Sequence, residues 1–214
     1  MKFFLLILLT IIAGMIIRIV SCTKVYHTDE VCFQENILPI FVSNCAYTDC
    51  HNSIDRKEEY DLTSYSGIMR GVVPKHPALS EVYKVVKGKH PSMPPSPYQP
   101  LTAEQLNQIK LWILIGAPNS SNCVTCDSVD YTYSGRIQPI LNSWCTGCHN
   151  ASINDGGIDF THYTGTLITV QDGTLQGSIH HQAGFTPMPK NAGLMSQCDM
   201  DAIDRWIADG YLNN

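Results

Sequence analysis

The 214-residue sequence predicts an all-α protein made of two tandem copies of one helical unit. Three observations carry that expectation. Five landmarks recur in the same order in the two halves of the chain, at an offset that drifts from 100 to 94. Apolar residues near the end of each half follow helical spacing. Between them lie long stretches dense in Pro, Gly and Ser, which read as loops.

From the start of the chain, Met1 and Lys2 precede an apolar run from Phe3 to Ile17, followed by Arg18 and then Ile19-Val20-Ser21-Cys22. A short positive start, an apolar run and a small residue before a break describe an export signal rather than a domain. The last four residues resemble the bacterial lipoprotein box, which implies a signal peptide over residues 1–22 and lipid acylation of Cys22. The alternative is a retained anchor, because Phe3 to Val20 is 18 residues and just long enough to span a bilayer, although Arg18 interrupts it. Both readings export the chain to the periplasmic side of a bacterial envelope and hold it at a membrane. Thr23, where an Asp favours inner-membrane retention in some bacteria, tilts the expectation toward the outer membrane.

After residue 22 the chain carries 12 basic and 19 acidic side chains, a net charge of −7, and it has no basic tract that points to nucleic acid. The 192 residues suffice for two modest cores. The copies run over residues 23–120 and 121–214, divided in the polar linker Pro118-Asn119-Ser120-Ser121-Asn122. Ile37-Leu38-Pro39-Ile40-Phe41 matches Ile137-Gln138-Pro139-Ile140-Leu141, and Cys45 matches Cys145, both at an offset of 100. Cys50-His51 matches Cys148-His149 at 98, because the first copy has two extra residues between its cysteines. Tyr60 to Gly67 pairs with Ile158 to Gly165 at the same offset, Met93-Pro94 with Met188-Pro189 at 95, and Trp112-Ile113 with Trp206-Ile207 at 94.

Each copy is expected to open with a helix carrying the Ile-x-Pro-Ile segment, with Ser134 as N-cap in the second and Pro139 in or near the first turn, or else at a kink. The cysteines end that helix. The closing helix of copy one starts at Thr102-Ala103-Glu104-Gln105, a capping-box pattern, and runs through Leu106, Ile109, Trp112 and Ile113. Its counterpart starts at Ser196 to Asp199 and carries Met200, Ile203, Trp206 and Ile207, with Gly116 and Gly210 marking the ends. The two tryptophans are expected to pack between the first and last helices of their copies.

Cys145-Thr-Gly-Cys148-His149 is a C-x-x-C-H run, the pattern of covalent c-type haem attachment. The two thiols add to the haem vinyl groups and the adjacent imidazole becomes an axial ligand of the iron. Cys and His can also hold zinc, which is the competing reading. Copy one departs from the pattern in Cys45-Ala46-Tyr47-Thr48-Asp49-Cys50-His51, whose four-residue spacer demands a bulged loop. For the second axial ligand the paired Met93 and Met188 are the candidates, each set between prolines in a polar loop where core filling is a poor reason for methionine. His90 and His180-His181 leave bis-histidine ligation open, though they do not align between the copies. Met69, Met195 and Met200 read as packing residues, and His27, His76 and His162 as surface or core histidines.

Taken together, the Ile-x-Pro-Ile opening, the attachment motif, the Met-Pro loop and the Trp-Ile helix make each copy similar to a small class I cytochrome c, and most similar to the Planctomycete-type cytochrome c family of exported bacterial proteins. The resemblance covers nearly all of residues 30 to 214. It implies an all-α fold of two tandem cytochrome c-like domains, each wrapped on a covalent haem, with two haem c in all and His/Met iron. In that fold the first and last helices touch, which implies disulfides between Cys32 and Cys123 and between Cys126 and Cys198, with a Cys123–Cys126 bridge as the rival.

His/Met iron has no open position for substrate, so the resemblance implies an electron carrier passing electrons between a redox protein donor and acceptor rather than an enzyme. The alternatives are a di-haem peroxidase, whose relatives are generally longer, a redox module serving a separate periplasmic oxidoreductase, and a haemless or zinc-binding interaction module. Residues 23–120 carry nine basic and ten acidic side chains and residues 121–214 three and nine. Lys84, Lys87 and Lys89, just before the Met93 loop, are a candidate docking face for an acidic partner, with a solvated lysine face as the plain alternative.

Overall fold

The computed structural model describes residues 31–121 and 130–214, and these residues are helical or looped, with no strand among them. The expectations on Cys22, His27, Cys123 and Cys126 lie outside the described residues. In the first copy a π-type turn, Phe33–Ile37, leads into α1 (Leu38–Cys45), followed by α2 (Tyr65–Met69), α3 (Glu81–Lys84) and α4 (Ala103–Leu114). After residue 130 the order returns. A π-type turn, Tyr133–Ile137, leads into α5 (Gln138–Trp144), followed by α6 (Tyr163–Gln171), α7 (Thr174–Ile179) and α8 (Gln197–Ala208).

Proline explains the wide opening turns. Pro39 and Pro139 sit in the first turn of α1 and α5, directly after the π-type turn. Proline has no amide hydrogen to return to the preceding turn, and the wider turn lets the chain pass into a regular helix without a broken bond in its middle. The cap of the second opening turn is Thr132, not Ser134. Its hydroxyl accepts from the Gly135 amide at 3.1 Å, and Asp130 Oδ1 accepts from the Thr132 amide and hydroxyl at 2.9 and 2.6 Å. The extra residue in the π-type turn shifts the start of the helix upstream of the position that α-helical spacing indicates.

The closing helices follow their expected caps. Thr102 and Gln105 form a full capping box on α4, and the Ser196 hydroxyl accepts from the Asp199 amide on α8. Ile109, Trp112 and Ile113 of α4 are buried, as are Met200, Ile203 and Trp206 of α8. Each tryptophan packs in an aromatic trio with its opening turn and its middle helix. Phe33 lies 5.1 Å from Tyr65 and 5.5 Å from Trp112, while Tyr133 lies 5.0 Å from Tyr163 and 5.6 Å from Trp206. The indole N–H of Trp112 donates to the Pro118 carbonyl and that of Trp206 to the Leu212 carbonyl, both at 3.0 Å. Satisfying the one polar atom of each indole lets the ring be buried without loss.

The repeated Asp-x-Thr segment is a backbone lock. Thr63 donates to Asp61 and Thr161 to Asp159 through both amide and hydroxyl. A Cβ on Gly67 or Gly165 would lie 1.8 Å from the carbonyl oxygen of Asp61 or Asp159, so only glycine lets the chain turn over that carbonyl. The two copies then pack together through α1 and α5, and their buried apolar residues form a single cluster.

Candidate haem-attachment sites

Both loops hold the histidine ring the same way. Nδ1–H of His51 donates to the Lys57 carbonyl at 2.9 Å and that of His149 to the Asp155 carbonyl at 2.8 Å. A ring that donates from Nδ1 keeps its lone pair on Nε2, which leaves that atom available as a metal ligand, and its orientation is fixed from behind. Neither carbonyl carries a sequence signal of its own, but each lies six residues after its histidine.

The longer spacer of copy one is absorbed inside the loop. The His51 amide donates to the Cys45 carbonyl at 3.2 Å, as the His149 amide does to the Cys145 carbonyl at 3.0 Å. The chain therefore closes on the first cysteine in both copies, and the additional residues bulge out through Asp49, which takes a left-handed conformation at φ 63°. Asn52, which is fully buried, holds this bulge. Its Nδ2 donates to the Tyr47 carbonyl at 2.9 Å, and its Oδ1 accepts from the amides of Ile54 and Asp55. Asn150 does the same service in copy two, donating to the Thr146 carbonyl at 2.7 Å and accepting from Ser152 and Ile153. Sequence reasoning passed over both asparagines, although the His-Asn pair recurs at the 98-residue offset.

Cys145, Cys148, His149 and Met188 line one cavity of about 570 Å3, with an apolar wall that includes Trp144, Phe160, Leu175 and Ile179. That volume is within the range of about 300–1,000 Å3 common for cofactor sites. Burial pushes the thiols of Cys45 and Cys145 up to about 12, and their partner cysteines add to the shift. Burial likewise raises Cys148 to about 11, with Asp155 adding and Lys190 opposing. Burial raises Cys50 as well. Among the described residues no three His, Cys, Asp or Glu side chains come together as a metal site.

The methionines sit on matching supports. The Met93 amide donates to the Val85 carbonyl and the Met188 amide to the Ser178 carbonyl, both at 3.0 Å, and the Met-Pro bond is cis in each copy. In each pair the methionine is half-buried and the proline buried. Of the competing histidines, His90 is exposed, His180 is paired with Asp204 at 2.8 Å, and His181 Nε2–H donates to the Met188 carbonyl at 3.1 Å. Neither His180 nor His181 lines the cavity. Met195 does line it, beyond the packing role expected of it, whereas Met200 is buried in the core.

Against known families, a model described as Planctomycete cytochrome C matches residues 48–97. Over that stretch the chain is similar to a cytochrome c-type domain. The matched stretch includes Cys50, His51 and Met93 and begins inside the widened spacer, after Cys45. A cytochrome c-type domain implies covalently bound haem c and haem-based electron transfer. No curated protein and no solved structure matches the chain.

Cys32 and Cys198 are both disulfide-bonded, whereas Cys45, Cys50, Cys145 and Cys148 are free thiols. The structure thus keeps the four motif cysteines apart from the structural ones. The two bonded cysteines stand before the opening turn of copy one and at the start of α8.

Proposed function

We propose that the protein is a di-haem electron carrier, tethered to a membrane, with one haem c attached at Cys45 and Cys50 and a second at Cys145 and Cys148. The observation that carries this reading is the shared histidine geometry. Both loops close on the first cysteine and pin Nδ1 to a backbone carbonyl, leaving Nε2 of His51 and His149 for iron. Bound haem c would supply a one-electron Fe(II)/Fe(III) couple. The chain's own work is to hold it. Met93 and Met188 are the proposed second axial ligands, the apolar wall around Met188 excludes water, and the asparagines keep the loops closed.

Two tandem domains, residues 23–120 and 121–214, follow from the repeat and are supported by the recurrence of element order and caps. The proposed disulfides Cys32–Cys123 and Cys126–Cys198 agree with the bonded state of Cys32 and Cys198. Cys22 is proposed as the lipid-bearing residue on the periplasmic side of the envelope, with the outer membrane favoured. No described helix is long and apolar enough to cross a membrane. Redox protein partners are proposed to dock near the Met93 loop. There Lys84 pairs with Glu81 at 2.5 Å and Lys87 lies 5.8 Å over the Tyr83 ring, which leaves Lys89 as the lysine of the three best placed to meet a partner's carboxylate.

Pyridine-haemochrome analysis together with intact mass tests this reading. Two covalent haems per chain and low-spin spectra with the Met-to-iron band are expected. Fewer than two haems would overturn the di-haem assignment. A high-spin ferric band with peroxide turnover would favour the peroxidase reading instead.

A further inference from the structure

The second haem-attachment loop is not free-standing. The peptide of Gly147, between Cys145 and Cys148, is gripped on both sides by copy one. Its N–H donates to Ser43 Oγ and its carbonyl accepts from the Tyr47 hydroxyl, each at 3.1 Å. Ser43 lies on α1 two residues before Cys45, and Tyr47 is inside the widened Cys45–Cys50 spacer. A Cβ on Gly147 would lie 1.8 Å from the Ser43 carbonyl oxygen, so glycine alone permits this approach. Both partners are buried, and the Tyr47 ring stacks on Tyr98 at 3.8 Å, with both rings lining the cavity that holds Cys145, Cys148 and Met188.

We propose that Tyr47 and Ser43 are coupling residues that join the two attachment loops into one electron path. The route is short in chain terms. It runs from Cys45 through Ala46 to the Tyr47 side chain, across one hydrogen bond to the Gly147 carbonyl, and through one peptide bond to Cys148. A second branch runs from Cys45 back to Ser43 and across its hydrogen bond to the Gly147 amide. The bulge in the first motif therefore has a use, since it carries the tyrosine that reaches the second motif. The proposal rests on the di-haem reading. With haem held at both sites, one electron would pass from a ferrous centre at one to a ferric centre at the other. No bond is formed or broken, no proton moves, and Tyr47 stays neutral throughout.

The test uses the full haem-loaded protein, wild type and Tyr47→Phe, Ser43→Ala and the double variant. Haem content is measured first. A wild-type chain with fewer than two haems overturns the di-haem reading, and with it the premise of this proposal, before any rate is taken. Exchange NMR of the haem methyl resonances in half-reduced samples then gives the concentration-independent exchange rate between the two sites. Tyr47→Phe keeps the stacked ring and removes the hydroxyl, so it is expected to slow that exchange severalfold, with the double variant slower still. Hydrogen–deuterium exchange across Cys145–His149 supplies a readout that does not depend on electron transfer. It should quicken in Ser43→Ala as the Gly147 amide loses its acceptor. An unchanged transfer rate in the double variant alongside faster deuterium uptake would make the contact a mechanical clamp and overturn the coupling role. Unchanged uptake in Ser43→Ala would mean that the grip is not formed in solution, and that result too would overturn the coupling role. Should Tyr47→Phe fail to load haem, Ser43→Ala carries the test by itself.

Discussion

The loop from Cys45 to His51 and the loop from Cys145 to His149 bring the histidine amide back to the same cysteine carbonyl, at 3.2 and 3.0 Å, although the first has two more residues to accommodate. What the copies share is whatever fixes the histidine: the carbonyl six residues on, the asparagine beside the ring, and the Asp-x-Thr lock beyond it. Where they differ is the face each turns to the other. Copy one contributes Ser43, Tyr47 and Tyr98 to the wall of the cavity around Cys145 and Met188, and its Ser53 hydroxyl donates to the Asn191 carbonyl at 2.6 Å, three residues past Met188. Copy two offers a glycine for the close approach. The two halves share one way of fixing the histidine and differ at their joint.

If both loops attach haem, the largest effect comes from removing their thiols. Cys145→Ala/Cys148→Ala and Cys45→Ala/Cys50→Ala should each leave one haem per chain by intact mass. Loss of haem from the first double variant only would break the equivalence of the loops. A pH test sharpens the same point. In the haem-free chain burial pushes the folded thiols of Cys45 and Cys145 from the ordinary value of 9.0 up to about 12. Their contribution to stability is therefore complete below the unfolded value and is lost as pH rises from there through about 12. A thioether does not titrate. The haem-loaded protein should lose less stability over that range, keeping only the part from buried tyrosines such as Tyr47 and Tyr133, which urea melts of the two forms would reveal.

Next in size is Gly147→Ala. The obstructing atom is the backbone carbonyl of Ser43, which cannot rotate away, so the joint must open or α1 must shift. An overpacking cost of about 1–3 kcal/mol is expected by urea denaturation. Gly165→Ala should cost a similar amount, since its Cβ would meet the Asp159 carbonyl at the same 1.8 Å, but it should leave deuterium uptake across Cys145–His149 unaltered. Equal uptake changes in both variants would show that the joint has no independence from the core of copy two.

The parts of this fold that were legible in the sequence are those written as spacing. The cysteine pairs, the histidines, the Met-Pro loops and the tryptophan helices all recur in order, and Thr102 with Gln105 spells a capping box that the structure contains. The opening helices were legible as helices, but the π-type turn before Pro39 and Pro139 was not, because an extra residue per turn leaves no apolar period to read. That is why Thr132 rather than Ser134 is the cap. The carbonyls of Lys57 and Asp155 were invisible because any residue has one. Tyr47 was visible only as part of an irregular spacer, and its reach to Gly147 is a contact across 100 residues that no local pattern encodes.

The smallest predicted effects lie at the third position of the closing helices, where the copies also part. In α4 the Gln105 side chain accepts from the Thr102 amide at 2.9 Å, on an exposed helix start. In α8 the aligned Asp199 is buried and faces inward, accepting from Arg136 at 3.0 Å and from the Trp144 indole at 3.0 Å. Trp144 lines the cavity around Cys145 and Met188, so this carboxylate steadies part of the proposed haem wall from behind. Asp199→Asn removes the charge from a buried hydrogen-bonded pair and should cost about 1–3 kcal/mol. The half-exposed Arg136 keeps water as an alternative partner, which places the cost below that of a fully buried pair. Gln105→Ala removes one arm of an exposed box and should cost about 0.5–1 kcal/mol. Urea melts of the two variants give both figures. If Gln105→Ala costs as much as Asp199→Asn, then Asp199 acts as a helix cap and not as a brace for Trp144. A larger cost for Asp199→Asn, with a shifted Trp144 indole resonance, would assign the brace to copy two alone.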